Sequence, residues 1–182
     1  MPRPKRKKLL IIDGYNIINS WGELSDIAEE DLESSREKLI DYMIEYSKYM
    51  NLNAILVFDA YNVKSAADRE TKRADSLKVV YTKENQTADS YIEKYISNIH
   101  DRRNLEISVA TSDQAEQQIV LGKGGSRITA RELELDVLKA KEDIRKHKSL
   151  ETGKKTIQRS TIAERVKDDK VISRLEEIRR RK

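Results

Sequence analysis

Four short apolar runs punctuate the first two thirds of the chain: Leu9 to Ile12, Ala54 to Phe58, Leu77 to Tyr81 and Leu105 to Ala110. Each is too short for a helix and is bounded by charge, glycine or polar residues, which predicts buried strands. The stretches between them have helical period. Leu39, Ile40, Met43, Ile44 and Ser47 repeat at three and four and predict a helix over Ser34 to Tyr49. Ala88, Ile92, Tyr95, Ile96 and Ile99 predict a second helix with Thr87 as its N-cap, and Gln114 to Leu121 a short third one that Gly122-Lys123-Gly124-Gly125 ends. Thr129-Ala130-Arg131-Glu132 has the form of a capping box ahead of Leu133, Val137, Leu138 and Ile144, so a fourth helix should run to about His147. Strands alternating with helices imply an α/β fold with a mainly parallel sheet.

The polar stretch Ser149 to Ser160 reads as a linker, and Thr161 to Lys182 as an appended basic helix through Ile162, Val166, Val171, Leu175 and Ile178. The expected organisation is a basic arm over residues 1–7, one domain over 8–147, and a linker with a basic C-terminal helix over 148–182. At 182 residues the chain is long enough to bury a substantial core.

Charge sharpens this division. Residues 1–8 hold five basic and no acidic side chains, and residues 139–182 hold sixteen basic against eight acidic. With a total of +4, the centre is left at −9. Cations on the flanks and carboxylates in the middle suit a protein that grips a polyanion with its ends, although solvated tails have the same composition. Cysteine is absent, which excludes disulfides and thiolate metal sites. Together with the lack of a signal-like or membrane-spanning segment, this suits a cytoplasmic protein with no membrane partner. His100 and His147 stand among charged neighbours late in helical patterns and read as solvated helix ends, so histidine chemistry is not expected.

The candidate chemistry lies in four acids at four element boundaries. Asp13 leaves the first strand, Asp59 follows Ile55-Leu56-Val57-Phe58, Asp89 opens the helix after the third strand, and Asp113 follows Val109-Ala110-Thr111-Ser112. In a parallel sheet, strand ends that lead into helices share one edge, so these acids should converge from distant parts of the chain. Converging carboxylates resist ionising together, and an oxygen-ligated Mg²⁺ or Mn²⁺ relieves them. Taken singly, Asp89 and Asp113 equally suit helix caps, and Glu93, one turn after Asp89, is either a further ligand or a surface ion-pair partner. Asn16 places a neutral amide three residues after Asp13, and Gly14 permits a tight exit from the strand.

Several of these segments together resemble one family. Asp-Gly-Tyr-Asn at 13–16, Val-Phe-Asp-Ala at 57–60, Thr-Lys-Glu-Asn-Gln-Thr-Ala-Asp at 82–89, Ala-Thr-Ser-Asp at 110–113 and Arg-Ile-Thr-Ala-Arg-Glu-Leu at 127–133 resemble the NYN domain of the PIN-like nuclease superfamily. The set is most similar to the bacterial small NYN family that includes ribosome-associated, mRNA-cleaving endoribonucleases. The resemblance covers roughly residues 8 to 147. It implies a parallel sheet with helices on both faces, and a metal-binding acidic centre of Asp13, Asp89 and Asp113 with Asn16 beside them, Asp59 as a fourth acid and Ser112 supporting Asp113.

The resemblance implies metal-assisted hydrolysis of RNA with mRNA as the substrate class, and, with the charge of the flanks, contact of those flanks with the ribosome or its rRNA. RNA contacts are expected from Lys64, Arg69, Lys72 and Arg73, in a stretch that reads as a loop near the site or a solvated helix face, and from Lys123, Arg127 and Arg131 around the glycine turn. The glycines equally read as simple helix termination. Trp21 and Tyr15 read as core packing ahead of base stacking. The competing class is a non-catalytic RNA- or ribosome-binding module with structural acids. A phosphotransferase using an aspartyl nucleophile ranks lower, because residue 15 is tyrosine where an Asp-x-Asp pattern needs a second acid. The glycine turn lacks the Gly-Lys-Ser/Thr ending of a nucleotide-binding loop.

Overall fold

Strand β1, Lys7–Asp13, runs through the middle of the sheet and changes sides with every residue. Leu10 and Ile12 enter one core while Leu9 and Ile11 enter another, the period-two division a sheet covered on both faces requires. The computed structural model describes residues 6–60, 70–99, 104–112, 121–122 and 124–166, with side-chain detail to residue 149. The remaining strands are β2 Asn53–Phe58, β3 Glu70–Ala74, β4 Leu77–Tyr81, β5 Leu105–Ala110 and β6 Ser126–Ile128, and the sheet order is β3-β4-β2-β1-β5-β6. All neighbours pair in parallel except β3 with β4. The expected α/β architecture, mainly parallel with helices on both faces, is the one observed.

Three helices separate β1 from β2: α1 Gly14–Ser20, α2 Gly22–Glu30 and α3 Leu32–Met50. Only the last was expected, with a later start. Asp31 caps it by accepting the backbone N–H groups of Glu33 (3.0 Å) and Ser34 (3.3 Å). Asn51 ends it in the left-handed region, with φ 50°. Helix α4, Ala88–Ser97, is capped by Thr87 as its sequence predicts, the threonine hydroxyl accepting Ser90 N–H at 3.2 Å. Helices α1 to α3 cover one face of the sheet, together with Ala130, Leu133, Val137 and Ala140 from the start of α5, Ala130–Val166. Helix α4 covers the other face through Ala88, Ile92 and Ile96.

Two expectations need correction. Lys72 and Arg73 lie on β3, an antiparallel edge strand, and not in a loop or helix; Lys72 pairs with Asp75 at 2.8 Å and Arg73 with Glu37. The weak β3 pattern, Glu-Thr-Lys-Arg-Ala, belongs to an edge strand whose faces are half solvated, so no apolar run marks it. The capping box forms, Thr129 N–H donating to Glu132 Oε2 at 2.7 Å and Glu132 N–H to the Thr129 hydroxyl at 3.2 Å, but α5 does not stop near His147. It continues to Val166 through the segment read as a linker. Leu150, Glu151, Lys154, Lys155, Gln158 and Arg159 of that segment are good helix formers, and the cost of Gly153, about 1 kcal/mol, does not outweigh their sum. The chain divides into two compact units, Met1–Lys141 and Glu142–Lys182. The expected helix Gln114–Leu121 and residues 167–182 lie outside or largely outside the described residues.

Gly14 leaves no room for a side chain. A Cβ there would stand 2.2 Å from Cε1 of Phe58, the last residue of β2. Phe58 is fully buried, edge-on to Tyr15 at 5.2 Å and stacked on Tyr81 at 5.6 Å, so it has no room to retreat. Gly14→Ala should destabilise the protein by roughly 2–3 kcal/mol from overpacking, read as a lower urea midpoint. Adding Phe58→Leu should recover part of that loss; a double variant whose losses simply add would refute the contact.

Candidate active site

The site sits where the strand order reverses. From β1 the chain builds outward through β2 and β4, then returns to place β5 on the other side of β1, which opens a crevice at the carboxyl ends of β1 and β5. Asp13 ends β1 there, in register with Val57 of β2, while Ile12 faces Ala110 of β5. Asp13 is also the N-cap of α1, accepting Asn16 N–H at 3.2 Å on Oδ1. The hydrogen-bonded turn is thus one of its partners, yet the carboxylate is only 8 % exposed. Burial pushes its pKa up to about 6, the bond from Asn16 pulls against this, and the carboxylates of Asp89 and Asp59 raise it further.

Asn16 crosses the crevice. Its side-chain oxygen accepts Ser112 N–H, just beyond β5, at 2.7 Å. Ser20, one turn further along α1, shares a 2.9 Å hydrogen bond with the Ser112 hydroxyl and donates to the Asn16 carbonyl at 2.7 Å. Asn16 therefore acts first as a brace between α1 and the β5 exit, the segment that leads to Asp113. Asp113 itself, with Lys64, Arg69 and Lys123, lies outside the described residues.

Asp59 and Asp89 meet from the other side. Asp59 Oδ1 accepts Ala88 N–H at 2.5 Å, satisfying an orphan donor in the first turn of α4 and anchoring the helix end that carries Asp89. Thr82, buried beneath them, donates N–H to the Phe58 carbonyl at 2.9 Å and accepts Ala60 N–H at 3.1 Å, which holds the β2 exit closed. Asp89 is exposed, as is Glu93 one turn on. Asp59 and Asp89 thus both act electrostatically on Asp13 at one sheet edge. Among the described residues, however, no three carboxylates or histidines form a complete metal-binding group. An all-oxygen donor set whose members raise a partner's pKa is chemistry that Mg²⁺ or Mn²⁺ fits.

The basic residues divide. Arg127, on β6 opposite Val109, and Arg131, in the first turn of α5, are exposed. Thr111 N–H donates to the Ile128 carbonyl at 3.2 Å, so the end of β6 lies beside the β5 exit. Lys72 and Arg73 are exposed on β3, each engaged with an acid. Trp21 is core, as its sequence context predicts: it is 3 % exposed and donates Nε1–H to the Ala130 carbonyl at 2.8 Å.

Tyr15 is half-buried and fixed by a residue the sequence reading passed over. Arg36, 5 % exposed, donates from Nη1 to the Tyr15 hydroxyl at 2.7 Å and pairs through Nη2 with Glu33. Arg36 precedes Leu39 and Ile40 by three and four residues, so its place on the buried stripe of α3 was the available signal.

Residues 10–180 match the YacP-like NYN domain. Over 125 residues the chain is 41 % identical to YacP of Bacillus subtilis strain 168, spanning 69 % of this chain and 72 % of that protein. The crystal structure of Rae1 (YacP) from Bacillus subtilis superposes with a TM-score of 0.71 at 35 % identity, covering 94 % of each chain. A mutant of the same protein gives 0.70 at 36 %, covering 80 % of this chain and 84 % of that one.

The burial of Asp13 has a measurable sign. Its folded pKa lies above the ordinary aspartate value of 3.8, so protonated Asp13 stabilises the fold below about pH 4, and that stability is lost as pH rises through about 6. Asparagine keeps the cap and cannot ionise. In a chelator, Asp13→Asn should therefore be more stable than wild type above pH 6, by roughly 2–3 kcal/mol, with the gap closing near pH 4. Denaturant titrations across pH check this, and a pH-independent gap would remove the account of a crowded, desolvated carboxylate.

Proposed function

The chain belongs to the YacP-like NYN domain family, a family of nuclease type, and from that footing we propose that it is a metal-dependent endoribonuclease hydrolysing RNA phosphodiesters, acting in the cytoplasm on mRNA in association with the ribosome. The observation that carries the proposal is Asp13: a carboxylate buried at the sheet's switch point, its charge disfavoured by burial and by the acids Asp89 and Asp59. An enzyme keeps such a group where a cation is to complete it. Asp13, Asp89 and Asp113, with Asp59 behind them, would hold Mg²⁺ or Mn²⁺. When bound, that ion supplies Lewis-acid charge neutralisation at the scissile phosphate and a water of lowered pKa.

The chain's own residues do the positioning. Asp59 fixes the α4 end and so the direction of Asp89, while Asn16 ties the α1 turn that carries Asp13 to the Ser112 segment ahead of Asp113. Arg36, Tyr15 and Phe58 back the same turn from behind, so Asp13 has little freedom to swing away from the phosphate. Arg127 and Arg131 would meet the RNA backbone on the β5–β6 side, and Lys72 and Arg73 on the β3 side, with Lys123 and Lys64 extending these two groups in sequence. No helix among the described residues is long and apolar enough to cross a membrane.

One observation favours the alternative of a non-catalytic RNA- or ribosome-binding module: Asp59 already has a structural occupation in its bond to Ala88 N–H. Cleavage of labelled mRNA, with and without ribosomes and with and without EDTA, separates the two readings. Asp13→Asn and Asp89→Asn should each lower the cleavage rate by about 100-fold or more while leaving RNA affinity within a few-fold. Wild-type rates in these variants, or cutting that survives EDTA, would sink the metal-dependent reading.

A further inference from the structure

We infer that the opposite edge of the sheet carries a second RNA-binding surface, a groove that takes the phosphate backbone of duplex RNA. Lys7 and Asp13 are the first and last residues of β1, so this edge lies about 20 Å from the acids. There, between the start of β1, the end of α3 and the β3–β4 turn, runs a groove of about 1120 Å³. Arg6, Lys7, Lys8 and Lys48 line it, and all four are exposed. None of the four has an ion-pair partner among the described residues, whereas Lys38, Lys72, Arg73 and Lys78 elsewhere on the same unit are each matched to an acid. Two carboxylates face the groove, Asp75 and Glu106, and Asp75 is already paired with Lys72. The surplus is therefore cationic, and it stands apart from the acidic edge in the same compact unit.

The shape and chemistry select the ligand. The volume exceeds the usual range for small-molecule sites, roughly 300–1,000 Å³, which suits a polymer crossing the surface, and the walls carry cations and amides beside apolar stretches at Ile44, Met50 and Leu52. Among the described residues no aromatic side chain lines it, so these offer nothing on which an unpaired base could stack and no aromatic anchor of the kind that dominates protein interfaces. Cations with neutral donors, here Asn51 and Asn53, read backbone phosphates and 2′-hydroxyls, the groups an A-form duplex presents outward. Strand alternation places Lys8 on the same face as Leu10 and Ile12, the face α3 covers, so Lys8 and Lys48 of the last α3 turn address the groove from its two walls. Lys7 holds the rim, its N–H donating to the Asn104 carbonyl at 2.9 Å. The protein would then hold folded RNA at one edge of its sheet while presenting the acids of the other edge to a separate strand.

The test is binding of a fluorescein-labelled RNA hairpin by full-length protein, measured by anisotropy over a range of salt. The triple variant Arg6→Glu, Lys8→Glu, Lys48→Glu should lose at least about tenfold in affinity near 0.1 M salt, and its slope of log K against log salt should fall by about 2–3, one per lost phosphate contact. The corresponding triple alanine variant, which places no new charge on the surface, should show an intermediate loss at an unchanged melting temperature. Cleavage of a single-stranded oligonucleotide of about three residues, too short at roughly 3.4 Å per stacked residue to reach from the acids to the groove, should stay within twofold of wild type. Unchanged hairpin affinity and slope in both variants would overturn the inference. So would polyglutamate of equal charge binding the wild type as tightly as the hairpin, which would point to an acidic protein partner. The groove and the nuclease reading fail separately: a wild-type protein that binds the hairpin through these residues but cuts nothing keeps the first and loses the second.

Discussion

A carboxylate at the end of the central strand must be held nearly out of water, and much of the surrounding structure answers to that demand. Asp13 can sit there because Gly14 has no side chain, which lets Phe58 close over the strand exit. Phe58 is in turn clamped between Tyr15 and Tyr81, and Tyr15 is held by the buried guanidinium of Arg36. The result is a rigid turn around a group whose ionisation is unfavourable on its own. Arg36 shares in the strain, since its Nε is buried with no hydrogen-bond partner. Rigidity and electrostatic discomfort at one point are what a site prepared for a cation has in common with a site prepared for catalysis.

Topology then multiplies the effect. The same parallel pairing that sets Ile12 beside Ala110 brings the β5 exit next to the β1 exit, and the Asn16–Ser112 bond fastens the two. A sheet wound the other way from β1 would put these segments on different sides. Asp59 and Asp89 arrive by the same logic through β2, β4 and α4. The acids are separated along the chain by whole secondary-structure units, yet each needs only a strand end to find the others.

Much of this was legible beforehand, and the gaps have physical causes. The four apolar strands, the Thr87 cap, the Thr129–Glu132 box and the acids at the junctions rest on local rules of period and capping, which the fold respects. Helices α1 and α2 escaped because they are short and their buried positions, Ile17, Ile18, Trp21 and Leu24, are too few to make a periodic stripe of convincing length. Strands β3 and β6 escaped because edge strands need no apolar alternation. The length of α5 escaped because polarity was taken for looseness, when charged residues with long straight side chains favour a helix. At the site, sequence could place Asp13, Asp59 and Asp89 on one edge, but not the brace role of Asn16 or the support of Arg36, both of which depend on contacts between segments 21 and 96 residues apart.

The chain contains a single tryptophan, and its position turns an ordinary core contact into an optical reporter. The indole of Trp21 sits at the junction of α1 and α2, one residue beyond Ser20 and its bond to Ser112, and reaches across to the Ala130 carbonyl in the first turn of α5. Its emission therefore comes from one place, where the segment bearing Asp13, the exit of β5 and the start of the long helix meet. Any event that loosens one of these three from the others, whether heat, denaturant or the arrival of a ligand at the acidic edge, wets or unbonds the indole and shifts the light it emits.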